Sequence, residues 1–220
     1  NIICIDRNTG QDLMTCDLPN ADVIVHLAGL SGVRQSLDKP TEYWKQNVIV
    51  TKRIFDRYGP RKRILYASSS TAYEPWRNPY AFSKYAMEEI APPNSLGMRF
   101  TTTYGPSARE QMLIPSIIRN EVPYINIDHS RDFIHVDDLC SAIIMLIDKN
   151  EYGVIDIGTG ISNKLTNIME YCRMTYQGVI GSEIERKDNK ADISNLTKYG
   201  WSPKINLYEY LDEEKEKRIN

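Results

Sequence analysis

Arg63-Ile64-Leu65-Tyr66-Ala67-Ser68-Ser69-Ser70, then Tyr73, then Asn78-Pro79-Tyr80-Ala81-Phe82-Ser83-Lys84 is the stretch that decides the reading of this chain. An apolar run that ends in hydroxyls reads as a buried strand delivering serines at its carboxyl end. Tyr80 and Lys84 stand at i and i+4, which places a phenol and an ammonium one turn apart on one helix face. A cation at that distance favours the phenolate, so Tyr80 becomes a usable proton acceptor below its ordinary pKa of about 10. A serine hydroxyl from the strand end can share the same proton. Tyr-x-x-x-Lys alone is commonly a solvated helix face; beside a strand of this kind it reads as a site that moves a proton on or off an alcohol oxygen.

Working outward, Ile2-Ile3-Cys4-Ile5 before Asp6, and Val23-Ile24-Val25-His26-Leu27 before Ala28-Gly29, read as short strands buried on both faces of a parallel sheet, with His26 a packed strand residue. Apolar positions at helical spacing predict a helix over 41–58, stopped by Gly59-Pro60. With the strand over 64–67, the helix carrying Tyr80 and Lys84, and a strand around 98–102, strands and helices alternate, which implies an α/β fold with a doubly wound parallel sheet. Beyond Pro106 the pattern predicts helices over 114–119, 137–149 and 165–173 and strands over 124–127, 131–134, 154–157 and 183–186. A short helix before Gly200-Trp201-Ser202-Pro203 and a charged final helix follow. The expected division is 1–106 and 107–220.

The 220 residues are 41% hydrophobic, enough for a buried core and too many for a disordered chain. A net charge of −2 gives no field that would gather nucleic acid or an anionic membrane, and Arg61-Lys62-Arg63 reads as a solvated loop. Cys4, Cys16, Cys140 and Cys172 are scattered without metal-ligand spacing, so no metal is expected and they read as buried thiols of a reducing, cytoplasmic compartment. No run is long enough for a membrane helix; Ala142 to Ile147 is an amphipathic face. No signal peptide is seen, and Asn1 opens the chain inside an apolar run.

The quoted segments, together with Arg99-Phe100-Thr101-Thr102-Thr103-Tyr104-Gly105-Pro106, Arg131-Asp132-Phe133-Ile134-His135-Val136-Asp137-Asp138-Leu139 and Asp156-Ile157-Gly158-Thr159-Gly160, closely resemble the extended short-chain dehydrogenase/reductase family of nucleotide-sugar epimerases and dehydratases. The resemblance covers nearly the whole chain. It implies a Rossmann-like, NAD-binding region and a small C-terminal substrate-binding region interleaved with the sheet. No G-x-x-G-x-x-G is present, and Gly29 and Gly32 make only half of that spacing. The chain is therefore expected to start at the family's second strand, lacking the first strand-helix unit and its phosphate loop.

On that alignment Asp6 matches the acid that binds the adenosine ribose, which favours NAD over NADP, with Arg7 beside it as a countervailing charge. Asp17-Leu18 resembles the pair beside adenine, Leu27-Ala28-Gly29 the strand end along the cofactor, and Tyr104-Gly105-Pro106 the turn near the nicotinamide. The resemblance makes Tyr80 the proton acceptor, Lys84 the holder of the nicotinamide ribose, Ser69 the catalytic hydroxyl with Ser70 as substrate contact or fallback, and Arg131 the diphosphate contact, with Arg186 a possible second. Thr102 stands where several relatives use Asn.

Ser70, Thr71 and Ala72 occupy the segment where the dehydratases carry an acid, which disfavours elimination. The expected activity is therefore epimerisation at carbon 4 of a nucleotide-diphosphate sugar, a UDP-sugar by the likeness of Leu30 to Pro40 and Arg109 to Met112 to UDP-glucuronate and UDP-galactose epimerases. A 4-keto-sugar reductase and a non-catalytic binding or assembly protein on the same fold stay open. The segment between Tyr73 and Tyr80 is shorter than the family's loop, which implies a thinner site roof. Relatives pair through the helices matching 41–58 and 81–90, implying a homodimer.

Overall fold

The computed structural model describes residues 1–59 and 61–219. In chain order its regular elements are β1 (Val23–His26), α1 (Val33–Asp38), α2 (Pro40–Tyr43), α3 (Val50–Tyr58), β2 (Arg63–Ser69), α4 (Pro79–Glu89), β3 (Ser95–Phe100), β4 (Thr102–Tyr104) and α5 (Leu113–Ile118). There follow β5 (Tyr124–Asn126), β6 (Ser130–Arg131), β7 (Phe133–His135), α6 (Val136–Ile147), β8 (Gly153–Ile157), β9 (Asn163–Lys164), α7 (Leu165–Tyr171), β10 (Gln177–Val179), α8 (Ser194–Thr197) and α9 (Leu207–Ile219). They form two compact units: Asn1–Arg99 with Asn150–Ile155, and Phe100–Lys149 with residues from Asp156 onward.

The first unit is Rossmann-like. Its sheet has the order β1-β2-β3-β8, and β1 runs parallel to β2 with Val23 opposite Arg63 and His26 opposite Tyr66. β2 is buried along its length apart from Arg63, as expected of a central strand covered on both faces. Against it Val50, Ile54, Phe55 and Tyr58 of α3 and Met87 of α4 form one core with Ile64 and Tyr66. Between α2 and α3 the helix continues through a π-turn, Trp44–Ile49, so the predicted helix over 41–58 is present as one run. Its expected stop falls partly on Pro60, which lies outside the described residues.

Three expectations fail here. Ile2 to Ile5 form no strand, and Ile2 is 95% exposed. β1 is the outer strand of the sheet and no described strand lies beside residues 2–5, so their backbone groups find no ladder and stay solvated. For the same reason β1 is not buried on both faces, since Val25 is exposed. The cysteines are free but not buried: Cys4 and Cys140 are exposed and Cys16 and Cys172 half-buried, Cys172 packing only at the margin of a core.

In the second unit, Tyr104, Ile117, Phe133, Ile168 and Leu211 share a core. Small ladders, β4 with β7 and β5 with β10 in parallel and β6 with β9 antiparallel, hold its loops. Residues 183–186, predicted as a strand, are a turn; the strand is β10, a few residues earlier, where pairing with β5 is available. No described helix is long and apolar enough to cross a membrane, and no described cluster of acids, histidines and cysteines suits a metal.

Candidate active site

α4 begins where it does because Asn78 caps it: the Asn78 side chain accepts from the Ala81 N–H at 2.8 Å, and Pro79 takes the first helical position, where a missing N–H costs nothing. Tyr80 therefore sits, half-buried, in the first turn. Lys84 follows one turn later, buried, with Nζ donating to the Ala67 carbonyl of β2 at 2.7 Å and lying 6.0 Å from the Tyr80 ring centroid. Tyr43 packs edge-on against the Tyr80 ring at 6.0 Å, and its hydroxyl donates to the Ser31 carbonyl. β2 ends at Ser69, whose Oγ caps the 3-10 turn Ser70–Tyr73 by accepting from Thr71 N at 3.2 Å and contacting Thr71 Oγ1 at 3.0 Å. The structure thus gathers Tyr80, Lys84 and the carboxyl end of β2 onto one edge of the first unit.

Burial pulls the Lys84 ammonium down to about 8, with the Glu88 carboxylate acting against it. His26 is held neutral: burial, then the neighbouring Lys84 charge, lowers it to about 3, and its Nε2 lies 2.9 Å from Thr51 Oγ1. The sequence reading missed Asn47. This fully buried side chain accepts from Leu30 N at 2.7 Å and donates to Leu30 O and to Ser83 Oγ, fixing the loop after β1 to α4. It points inward from the π-turn, a feature often found at functional sites. The available signal was a polar residue between apolar Trp44 and Val48.

Leu27, Ala28 and Gly29 are exposed at the end of β1. A Cβ on Gly29 would lie 2.9 Å from Asn47 Oδ1 and 3.5 Å from Lys84 Nζ, so only glycine leaves that surface open beside the lysine. Such a bare strand-end backbone next to an ammonium fits the nicotinamide-ribose end of a dinucleotide. Asp17 and Leu18 line a separate cavity of about 480 Å³ with Arg53 and Arg57. Asp6 is exposed and not at a strand end; its carboxylate accepts from Asn8 N and caps the turn Arg7–Thr9. Arg7 is tied to Gln46 and Asp12. No Gly-rich turn for a pyrophosphate occurs in the sequence.

Two expected site residues belong to the second unit. The Tyr104 side chain is in the core, packed edge-on against His135 and Tyr210, and burial raises its phenol. Arg131 donates to Ser130 O at 2.7 Å, to Lys187 O and to His129 Nδ1, and meets Glu185 at 3.3 Å. Asp132 is fully buried, accepting from Thr159 N, Thr159 Oγ1, Gly160 N and Ala191 N. Ser70 is buried beside Ser69.

Residues 6–158 match the sequence model of the NAD dependent epimerase/dehydratase family. The UDP-glucuronate 4-epimerase of Thermodesulfobacterium geofontis is 27% identical over 94% of this chain and 76% of its own length. Among solved structures, MoeE5 in complex with UDP-glucuronic acid and NAD is 26% identical with a TM-score of 0.81, covering 95% of this chain and 85% of that one. The UDP-N-acetylglucosamine 4-epimerase from Methanobrevibacter ruminantium M1, in complex with UDP-N-acetylmuramic acid, is 25% identical with a TM-score of 0.81, over 95% of this chain and 81% of that one.

Proposed function

The chain belongs to the NAD dependent epimerase/dehydratase family, and on that footing we propose that it epimerises carbon 4 of a nucleotide-diphosphate sugar through a 4-keto form of the sugar. Its catalytic residues in this reading are Ser69, Tyr80 and Lys84. The observation that carries the reading is the seating of Lys84 on the Ala67 carbonyl, one turn from Tyr80 and two residues before Ser69. The 4-epimerase names of the relatives support it.

NAD, the cofactor of the family, supplies the hydride acceptor and donor when bound. The chain's own residues handle the proton. Tyr80 takes it from the carbon-4 hydroxyl and returns it, and the Lys84 charge favours negative charge on the phenol oxygen. Ser69 accepts from its own turn, which leaves its O–H to donate to the sugar oxygen. Lys84, Leu27, Ala28 and Gly29 would hold the nicotinamide-ribose end, Asp17 and Leu18 the adenine side, Asp6 the ribose, and Tyr104 the turn near the nicotinamide. Arg131 and Ser70 serve the substrate, with Arg131 exchanging Glu185 for phosphate. The turn Ser70–Tyr73 carries no acid, and Glu74, the next one, pairs with Arg77, so elimination lacks a proton-moving carboxylate.

The protein is incubated with UDP-glucuronate or UDP-galactose and a trace of NAD, with Tyr80→Phe as control. Epimer formed without net nicotinamide turnover supports the reading; dependence on stoichiometric reduced cofactor makes it a reductase, and no turnover of any nucleotide sugar makes it a binding protein. A homodimer is part of the proposal. Exposed Trp44 and Phe82 stack at 5.9 Å beside a cavity of about 670 Å³ that also meets Leu37 and Trp76, an apolar helical face suited to a second copy. Sedimentation showing only monomer would remove that part.

A further inference from the structure

A buried carboxylate lies on the same helix face as the Tyr80 and Lys84 pair, without a role in the chemistry so far. Glu88 follows Lys84 by four residues, one turn further along α4. Its side chain is 4% exposed and both oxygens are committed. Oε1 accepts from Ser68 Oγ at 2.5 Å and from Arg99 Nε at 2.9 Å; Oε2 accepts from Arg99 Nη2 at 2.6 Å. Arg99 is itself fixed, its guanidinium 4.0 Å over the Tyr73 ring. α4 is therefore fastened to β2 at consecutive residues, Lys84 on the Ala67 carbonyl and Glu88 on the Ser68 hydroxyl, immediately before Ser69.

We propose that Glu88 is a positioning residue for the Tyr80 and Lys84 pair: its negative charge keeps Lys84 an ammonium on β2, and its bonds fix the strand end that presents Ser69. The inference rests on reading Tyr80 and Lys84 as the proton-handling pair. The groups facing Lys84 single out Glu88 as its counter-charge. α4 contributes Tyr80 and Glu88, β1 contributes His26, which is neutral, and β2 contributes only a carbonyl. Facing Glu88 in turn are Lys84, Arg99 of β3 and the buried phenol of Tyr66, which Glu88 helps to push up after burial. One anion thus serves a buried and a half-buried cation. Removing it leaves both uncompensated, whereas removing Arg99 leaves the anion to Lys84 alone.

Those two losses break the same ion pair but act on Lys84 with opposite sign, which a merely structural clamp would not do. Lysine side chains carrying ¹³C and ¹⁵N in the full chain are titrated by NMR, with Lys84→Arg assigning the resonance. The wild-type midpoint is expected at about 8. Glu88→Gln lowers it by about one pH unit, and Arg99→Met raises it by a smaller amount. Glu88→Asp, which keeps the charge, returns it to near the wild-type value. An unmoved midpoint in Glu88→Gln, or shifts of the same sign in the two variants, overturns the proposal. If one variant does not fold, the sign in the other decides. The readout needs no turnover, so loss of the epimerase reading would show separately as an inactive wild type with Lys84 still responding to residue 88.

Discussion

Replacing Lys84 by Met should remove a buried charge that opposes folding, and the gain in stability should depend on pH in a way that identifies its source. The folded-state pKa of Lys84 is depressed from 10.5 to about 8 by burial. Because it lies below the unfolded value, the ammonium opposes folding. Below pH 8 both states carry the proton and the folded state bears the whole penalty; between 8 and 10.5 the folded state has released it and the penalty fades. A depression of about 2.5 units, at roughly 1.4 kcal/mol per unit, amounts to about 3 kcal/mol near pH 7. Lys84→Met also abandons the hydrogen bond to the Ala67 carbonyl, which returns about 1 to 2 kcal/mol of that gain. The variant should therefore be more stable than wild type by about 1 to 2 kcal/mol at pH 7. That advantage should shrink by about 2 kcal/mol by pH 9.5, as the wild-type lysine neutralises. Urea unfolding of both proteins at the two pH values measures it. Packing changes are independent of pH, so a stability difference that is the same at pH 7 and 9.5 would refute a charged, buried Lys84.

His26 acts in the opposite window. It is neutral in the fold, with its pKa lowered to about 3 from 6.5, so its contribution is complete above pH 6.5 and is lost as pH falls toward 3; His26→Gln should lose about 2 kcal/mol less than wild type between pH 7 and 4.5 in urea titrations. Asn78→Ala should cost about 1 kcal/mol by thermal melting, since the Ala81 N–H loses its cap at 2.8 Å. Gly97→Ala should cost about 1 to 3 kcal/mol in the same assay, because the added Cβ would lie 2.6 Å from the hydroxyl and 2.8 Å from Cζ of Tyr66, a fully buried ring that has nowhere to retreat.

The parts of this fold that local chemistry dictates were legible. Arg63 to Ser69 reads as a covered strand because every residue after the first is apolar or a terminal hydroxyl, and α4 is announced by Asn78-Pro79. Lys84 and Tyr80 share a face by helix geometry alone. What depended on partners was not legible. The run Ile2 to Ile5 has strand composition, yet strand pairing is a property of two segments, and β1 is the outer strand of the described sheet. The strand predicted over 183–186 moved to β10 because β5 lay there to pair with it. Asn47 was hidden for another reason: a π-turn displaces the register that a helical pattern assumes, so a residue read as one more polar position turns inward. The partner that Arg131 meets within the fold was not legible either, since Glu185 reaches it from a distant loop, while Asp132, its neighbour in sequence, is consumed by backbone N–H groups.

The neutrality of His26 connects these scales. A strand that ends in an imidazole beside a buried ammonium would be untenable if both were charged, since two cations at close range in a poorly solvated site repel strongly. β1 resolves this by burying His26 to 3% exposure and setting its Nε2 at hydrogen-bonding distance from Thr51 Oγ1 in α3. Thr51 is itself fully buried on the core face of α3, so the packing that covers β2 also covers the hydroxyl that engages the imidazole. With His26 silent, the balance at Lys84 is left to Tyr80 and Glu88, both on α4 and both set in register by one cap at Asn78. The charge state of the site therefore follows from where one helix starts and which strand it lies on, and a shift of α4 by a single residue would turn all three side chains away from β2 together.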